Sequence, residues 1–290
     1  MRMMIFGAGY SGQAIADEAL AAGMHVSGTS RSMEKCAALS AVGIEPFLFD
    51  GATLSAPLRD AMAQTTHLVQ SIAPGAAGDP LLQLTEGDLA HHFPRLQWTT
   101  YLSTVGVYGD HGGAWVTEET ECRPVSQRSV ERVAAEQGWL EAGARASVPV
   151  AVLRLSGIYG PGRNGFVNLA QGTARRLVKP GQVFNRIRVE DIGRATLFLA
   201  ERHLGGLFNV TDDEPAPPQD VVTEAARLMG VEPPPEQAFE TAELSPMARS
   251  FYGENKRVSN AKICNLGFSF RFPDYRISLA DLWTSGRWKP

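Results

Sequence analysis

The 290-residue sequence predicts an α/β protein: a doubly wound parallel Rossmann sheet with a smaller C-terminal lobe. Three observations carry that expectation. A short apolar strand runs straight into a glycine-rich turn and then a helix at the start of the chain. Strand-like and helix-like runs alternate through the first half, the pattern of parallel strands joined by right-handed crossovers. The later part is punctuated by proline and glycine clusters that read as connections within a second lobe.

The opening element is Met3-Met4-Ile5-Phe6, followed by Gly7-Ala8-Gly9-Tyr10-Ser11-Gly12 and an apolar-periodic run through Ile15, Ala19 and Leu20 to Gly23. In a strand–G-x-G-x-x-G–helix unit the first glycine permits the tight turn. The second lets backbone approach a pyrophosphate, and the third lets helix and strand pack closely. The helix N-terminus adds free N–H groups and the positive end of its dipole. Gly7, Gly9, Tyr10, Ser11 and Gly12 are therefore expected to hold a pyrophosphate through backbone atoms.

Strands follow at 25–29, 45–49, 66–71 and 98–103, with helices at 33–42, 58–63 and 81–93 between them. A polar stretch comes after Gly109, then an amphipathic helix at 127–142 with Val130, Val133, Ala134, Trp139 and Leu140 on its apolar side. A sixth strand spans 148–155. The glycine-rich segment 157–165 reads as a loop lining a site. Residues 187–189 lead into a helix at 190–201, a strand covers 207–210, and a helix at 220–229 ends at Gly230 before Pro233-Pro234-Pro235. The expected division is 1–155 for nucleotide binding, with 186–211 returning to it, and 156–290 mainly for substrate.

The net charge of −4 and the absence of a basic run argue against nucleic acid as a partner. Cys36, Cys122 and Cys264 are odd in number and far apart, so they read as buried thiols in a reducing compartment. His91-His92 sits at a helix end, and no histidine spacing suggests a metal site. No apolar segment approaches the roughly 20 residues of a membrane span, and no signal peptide precedes the first strand. A cytoplasmic protein, monomeric or homodimeric, is expected, with a small molecule as its partner.

Several motifs together resemble the extended short-chain dehydrogenase/reductases, the NAD-dependent epimerase/dehydratase family. They are Gly7-Ala8-Gly9-Tyr10-Ser11-Gly12, Tyr101-Leu102-Ser103-Thr104 running into Val107-Tyr108-Gly109, Arg154 to Arg163 around Tyr159-Gly160-Pro161-Gly162, and Val189-Glu190-Asp191-Ile192-Gly193-Arg194-Ala195. The resemblance implies a nicotinamide dinucleotide and a substrate that is oxidised, reduced, epimerised or dehydrated, often a nucleotide sugar. It also implies that Asp50 lies near the adenine and that Ser71, Ile72 and Ala73 line the cofactor.

The departure is in the family's catalytic helix, where a Tyr is followed four positions later by a Lys. Aligned on Ala134-Ala135-Glu136, Arg132 takes the Lys position and Arg128 the Tyr position. Arg132 can still hydrogen-bond a ribose, with altered geometry. Arg128 cannot exchange a proton, because a guanidinium stays charged, though it can bind an anion or polarise a carbonyl. Thr104 matches the family's Ser/Thr position and can donate to a substrate oxygen. Tyr108 and Tyr159 follow strand ends and are candidate proton carriers, an ordered water being the alternative. Arg128, Arg163 and Arg188 are expected to face the cleft and to suit an anionic substrate. Tyr252 and Lys256 repeat the Tyr–Lys spacing, but downstream of the substrate motifs, so they are expected to be a chance match.

About 20 residues past the glycines an NAD site carries Asp or Glu for the ribose 2′-hydroxyl. Here that place holds Thr29-Ser30-Arg31-Ser32, and Ser30, Arg31 and Ser32 suit a 2′-phosphate, so NADP is expected over NAD. Two functions remain. One is an atypical NADP(H)-dependent enzyme of the oxidoreductase, epimerase or dehydratase type. The other is a catalytically silent NADP(H)-binding sensor or scaffold that has lost the Tyr–Lys pair.

Overall fold

The computed structural model describes residues 1–289. Its first elements are β1 (Arg2–Phe6), α1 (Tyr10–Ala21), β2 (His25–Ser30), α2 (Met33–Ala41), β3 (Glu45–Leu48), α3 (Ala56–Gln64), β4 (His67–Gln70), α4 (Pro80–Leu84), α5 (Leu89–His92) and β5 (Trp98–Thr104). After a 3₁₀ turn at Val105–Tyr108 come β6 (Trp115–Val116), α6 (Gln127–Ala146), β7 (Val150–Leu155), β8 (Gly157–Tyr159), α7 (Gly165–Ala170), β9 (Arg176–Val178) and β10 (Arg186–Arg188). The rest is α8 (Val189–Glu201), β11 (Gly206–Val210), α9 (Pro218–Met229), β12 (Glu236–Ala238), α10 (Pro246–Phe251), β13 (Arg257–Val258), α11 (Ala261–Asn265) and α12 (Tyr275–Thr284).

One seven-stranded sheet has the order β11-β7-β5-β4-β1-β2-β3. The pairs β3–β2, β2–β1, β1–β4 and β4–β5 are parallel, with Met3 opposite both Val26 and His67. The order reverses direction at β1, as a doubly wound sheet requires. Every residue of β4 and β7, and all of β1 after Arg2, is buried, the mark of strands covered on both faces. The expected doubly wound α/β class is what the chain adopts.

The chain forms two compact units. One is residues 1–107, 124–154 and 192–208; the other is 108–123, 155–191 and 209–290. In the first, Phe6 meets Phe49 and Phe93 edge-on at 5.3 and 6.5 Å, beside Leu58, Met62 and Leu68. Trp139 of α6 stacks on Tyr101 at 6.4 Å. Helix α8 lies against α1 at Gly193, where any Cβ would collide with the Ala14 carbonyl oxygen. In the second unit, Phe166, Tyr275, Leu279 and Leu282 form a core with Trp283 and Trp288 packed against it. Short parallel pairs β8–β10, β9–β12 and β6–β13 complete it.

Three expectations are corrected. The helix read at 81–93 is two helices, because Glu86 and Gly87 adopt positive φ (52° and 66°) and Asp88 re-caps the chain by accepting from the His91 N–H at 3.0 Å. The segment 157–165 is not all loop: β8 pairs with β10 before the chain turns. Of the three free cysteines only Cys36 is buried; Cys122 and Cys264 are partly exposed.

His67 titrates against the fold. It is fully buried on β4, its Nδ1 is 2.9 Å from the Thr66 hydroxyl, and its ring stacks on His203 at 5.4 Å. Burial first, and His203 second, push its pKa down from 6.5 to about 4. A depressed histidine pKa means the unfolded chain binds the proton more readily. Stability is therefore full above about pH 6.5 and falls as the pH drops toward 4. Urea unfolding should show a loss on the order of 2–3 kcal/mol between pH 7 and pH 4 attributable to this group, removed from the pH dependence in His67→Gln.

Candidate cofactor and catalytic site

The glycine turn is built by the strands beneath it. The Gly7 N–H donates to the Thr29 hydroxyl at 2.9 Å, and the Ala8 N–H donates to the Thr29 carbonyl at 2.9 Å. Gly7 has φ +85°, which a side chain disfavours, and a Cβ there would sit 2.9 Å from Ile72. A Cβ at Gly12 would lie 2.8 Å from the Gly7 carbonyl oxygen and 3.2 Å from Ile5. Gly9 differs: nothing lies within 4 Å of where its Cβ would be. Gly9 is also the N-cap of α1, and it brings no side chain to accept the first N–H groups of the helix. Open space before an uncapped helix N-terminus is what a diphosphate needs. The residues present fit a dinucleotide.

Along the sheet edge, Arg31 is exposed and has no hydrogen-bond or ion-pair partner among the described residues. Ser30 and Ser32 flank it, half-buried, and the Ser32 hydroxyl caps α2 by accepting from the Lys35 N–H at 3.3 Å. Asp50 is exposed and accepts from the Ala52 N–H at 2.8 Å. Ser71, whose N–H donates to the Phe6 carbonyl at 2.9 Å, and Ile72 follow β4 half-buried, and Ala73 is exposed.

Helix α6 is fixed by a buried ion pair. Arg154 of β7 meets Glu136 at 2.7 Å, and the Ser103 hydroxyl donates to Glu136 at 2.5 Å. This ties α6 to β5 and β7 and sets which residues it presents at the end of β5. Arg132 donates to the Leu102 carbonyl and, at 3.4 Å, to the Tyr101 hydroxyl. Tyr101 is wholly buried, and burial pushes its hydroxyl pKa up. The Thr104 hydroxyl accepts from the Gly106 N–H at 3.1 Å, which leaves its own proton to donate. Arg128 is exposed with no partner among the described residues. Ser129 is buried, and its hydroxyl shares a hydrogen bond with that of Ser126, the N-cap of α6, at 2.9 Å.

In the second unit the tyrosine and arginine candidates separate. Tyr108 is corrected from a cleft residue to a core one. It is fully buried and its hydroxyl donates to Asn209 Oδ1 at 2.7 Å, while Glu118 accepts from the Asn209 N–H at 2.8 Å. Arg188 is likewise corrected. It is fully buried, pairs with Glu190 at 2.6 Å and Asp281 at 3.1 Å, donates to Ser278, and lies 4.2 Å over the Phe272 ring. Arg163 is exposed beside the Gly160–Arg163 bridge. The Tyr252–Lys256 match is not an acid–base pair: Tyr252 packs with Phe184 and Phe239, and Lys256 holds Glu254 at 2.6 Å and the Gly109 carbonyl at 2.8 Å. Tyr159 is half-buried with its hydroxyl enclosed.

Among the described residues no group of His, Cys, Asp and Glu is placed to hold a metal ion, and no helix is long and apolar enough to cross a membrane. A surface cavity of about 330 Å³, lined by Arg2, Ser27, Glu45 and Asp60, lies by the start of β1 and carries none of the motif residues.

This fold and glycine turn are those of the Rossmann nucleotide-binding class. The sequence pattern of the NAD dependent epimerase/dehydratase family matches residues 3–210, and the chain belongs to that family. Protein YeeZ of Escherichia coli K12 is 30% identical to it, over 94% of this chain and 97% of that one. A solved structure of a functionally unknown conserved protein from Silicibacter pomeroyi is 43% identical, covers 98% of this chain and 99% of its own, and superposes with TM-score 0.88. UDP-N-acetylglucosamine 4-epimerase from Bacillus cereus shares the fold at TM-score 0.78 with 14% identity, over 99% of both chains.

Gly9→Ala places a Cβ in the open space before α1 with no neighbour within 4 Å. The variant should melt close to the wild type, while titration with NADPH should show affinity reduced by more than about tenfold. Unchanged affinity would remove the glycine turn from the binding site.

Proposed function

We propose that the protein is an NADP(H)-binding, cytoplasmic enzyme of the oxidoreductase, epimerase or dehydratase type, acting on a small polar substrate with an anionic group. One observation carries the reading most: Arg132 is anchored on the Leu102 carbonyl at the end of β5, so a cation stands at the family's Lys position although the residue type has changed. When bound, the nicotinamide cofactor supplies the hydride chemistry. Gly7, Gly9, Tyr10, Ser11 and Gly12 would hold its diphosphate, and Arg132 would hydrogen-bond the nicotinamide ribose.

Thr104 would donate a hydrogen bond to the reacting oxygen of the substrate. Arg128, exposed and unpaired among the described residues, would bind the anionic group or polarise that oxygen, and it stays protonated throughout. The Tyr108 hydroxyl donates to Asn209 Oδ1 and the Tyr159 hydroxyl is enclosed, so the proton at the substrate oxygen is left to a water. Asp50, Ser71, Ile72 and Ala73 would line the cofactor, with Ser30, Arg31 and Ser32 around a 2′-phosphate.

The free Arg31 guanidinium supports NADP over NAD, since a 2′-phosphate calls for charge-assisted donors. Arg31→Asp should reverse the preference: NADPH affinity should fall about 10- to 100-fold in fluorescence titration while NADH affinity holds or rises. Equal loss of both would leave the 2′-phosphate assignment without support.

The enzymatic reading is tested with NADP(H) on a panel of keto acids and nucleotide sugars. Turnover by the natural protein, reduced about 10²-fold or more in Thr104→Ala with KM little changed, is the expected outcome. If the natural protein turns over nothing while Arg128→Tyr/Arg132→Lys gains activity, the protein is the silent nucleotide-binding sensor.

A further inference from the structure

The first unit buries a carboxylate that forms no ion pair among the described residues. Asp79 is 3% exposed, and Gln70, the last residue of β4, is fully buried. The Gln70 Nε2 donates to both Asp79 carboxylate oxygens at 2.8 Å. Asp79 Oδ1 also accepts from the N–H groups of Leu81 and Leu82 at 2.9 and 3.1 Å, as the N-cap of α4. Burial pushes the Asp79 carboxyl pKa up, and the hydrogen bonds from Leu82 and Gln70 oppose it. An exposed cap would serve so short a helix without the cost of burying a carboxylate.

Between Gln70 and Asp79 runs the segment 71–78, Ser-Ile-Ala-Pro-Gly-Ala-Ala-Gly, exposed from Gly75 to Gly78. Gly75 and Gly78 close its tip around Ala76-Ala77 by exchanging two backbone hydrogen bonds, at 3.1 and 2.8 Å. Such a tip has little apolar area to hold it, so its ends set where it stands. At one end β4 is locked in the sheet between β1 and β5. At the other end is Asp79, and the Gln70–Asp79 contact joins the two ends directly.

The base of the same segment touches the glycine turn. A Cβ at Gly7 would lie 2.9 Å from Ile72 Cγ1 and 3.2 Å from the Ile72 nitrogen, so Ile72 stands against the first glycine. The Ile72 N–H faces Gln70 Oε1 at 3.5 Å. One glutamine amide thus holds Asp79 through its nitrogen and meets Ile72 through its oxygen. The Ser71 hydroxyl and the Ala73 N–H have no partner among the described residues, which leaves two donors beside the turn.

We propose that Gln70 and Asp79 are positioning residues for the dinucleotide: their side chains clamp the base of the loop 71–78 and so hold Ser71, Ile72 and Ala73 against the glycine turn. This inference rests on the reading of that turn as the cofactor site. Neither residue needs to touch the ligand. With the clamp broken, the cofactor has to order the loop as it binds, and the entropy of ordering is lost from the affinity.

The test is fluorescence titration with NADPH, with the melting temperature and the amide hydrogen exchange of residues 71–78 recorded for each variant. Gln70→Glu sets two carboxylates against each other. It should weaken NADPH binding by about tenfold or more and speed exchange in the loop. Adding Asp79→Asn restores a carboxylate–amide pair with the roles exchanged, so the double variant should return to within about threefold of the natural affinity. Thr85→Val is the stability control. It removes the hydrogen bond from the Thr85 hydroxyl to the Leu81 carbonyl, 2.8 Å long and at the far end of α4, and should lower the melting temperature while NADPH affinity holds. If Gln70→Glu does not fold, Gln70→Leu decides, with severalfold weaker binding expected. Three results overturn the proposal: the Gln70 variants bind NADPH as the natural protein does; the double variant shows no recovery; or Thr85→Val loses as much affinity as Gln70→Glu for the same fall in melting temperature, which marks a purely structural pair. A natural protein that binds neither NADPH nor NADH removes the cofactor reading and this one with it. A natural protein that binds, beside Gln70 variants that bind equally well, removes the clamp alone.

Discussion

The first unit depends on a close approach of two pieces of backbone. The carbonyl oxygen of Gly7 lies 2.8 Å from where a Cβ at residue 12 would stand, so the first turn of α1 can rest on the turn that precedes it only if residue 12 is glycine. That contact aims the N-terminus of α1 at the open space beside Gly9. The opposite side of α1 is held in the same way, with Gly193 of α8 against the Ala14 carbonyl. Both contacts exclude side chains, and both belong to motifs visible along the chain. The helix is thereby held on two sides by backbone, which leaves it little freedom to tilt.

The second organising interaction is electrostatic. Glu136, Arg154 and Ser103 are each at most 5% exposed, and together they lock α6 to β5 and β7. A buried pair of this kind adds little net stability over an apolar replacement, but removing one partner costs about 3–5 kcal/mol. Its effect is positional. It sets the rotation of α6, so that Ser129 is buried, Arg132 reaches the Leu102 carbonyl and Arg128 points to solvent.

Two arginines of one short strand show how partners decide the state of a charge. Arg188 is wholly buried, yet it is satisfied by carboxylates from α8 and α12, a serine and an aromatic face. Arg186, two residues earlier, faces an aspartate that it does not pair with, and both side chains are perturbed by burial. Identical residue types at positions with the same strand periodicity thus end with different partners, carboxylates for Arg188 and backbone carbonyls for Arg186.

The sequence by itself determined the fold class, the alternation of strands and helices in the glycine-turn half, and the family. These rest on local signals: short apolar strands, a glycine spacing with a steric reason at each position, and helix stops. It also determined that position 128 carries a group unable to exchange a proton, which is a property of the guanidinium wherever it lies. Tertiary structure decided what local patterns cannot encode. Tyr108 and Tyr159 both follow strand ends and look equivalent along the chain, but the Tyr108 hydroxyl donates to Asn209, about a hundred residues further on, while Tyr159 lies near Asp212 and Ser278. The helix read at 81–93 breaks where Arg145 of α6 donates to the Gly87 carbonyl at 3.2 Å, a partner from 58 residues downstream. In each case the deciding contact is a hydrogen bond between residues remote in sequence, and only the folded chain brings such donors and acceptors within reach of each other.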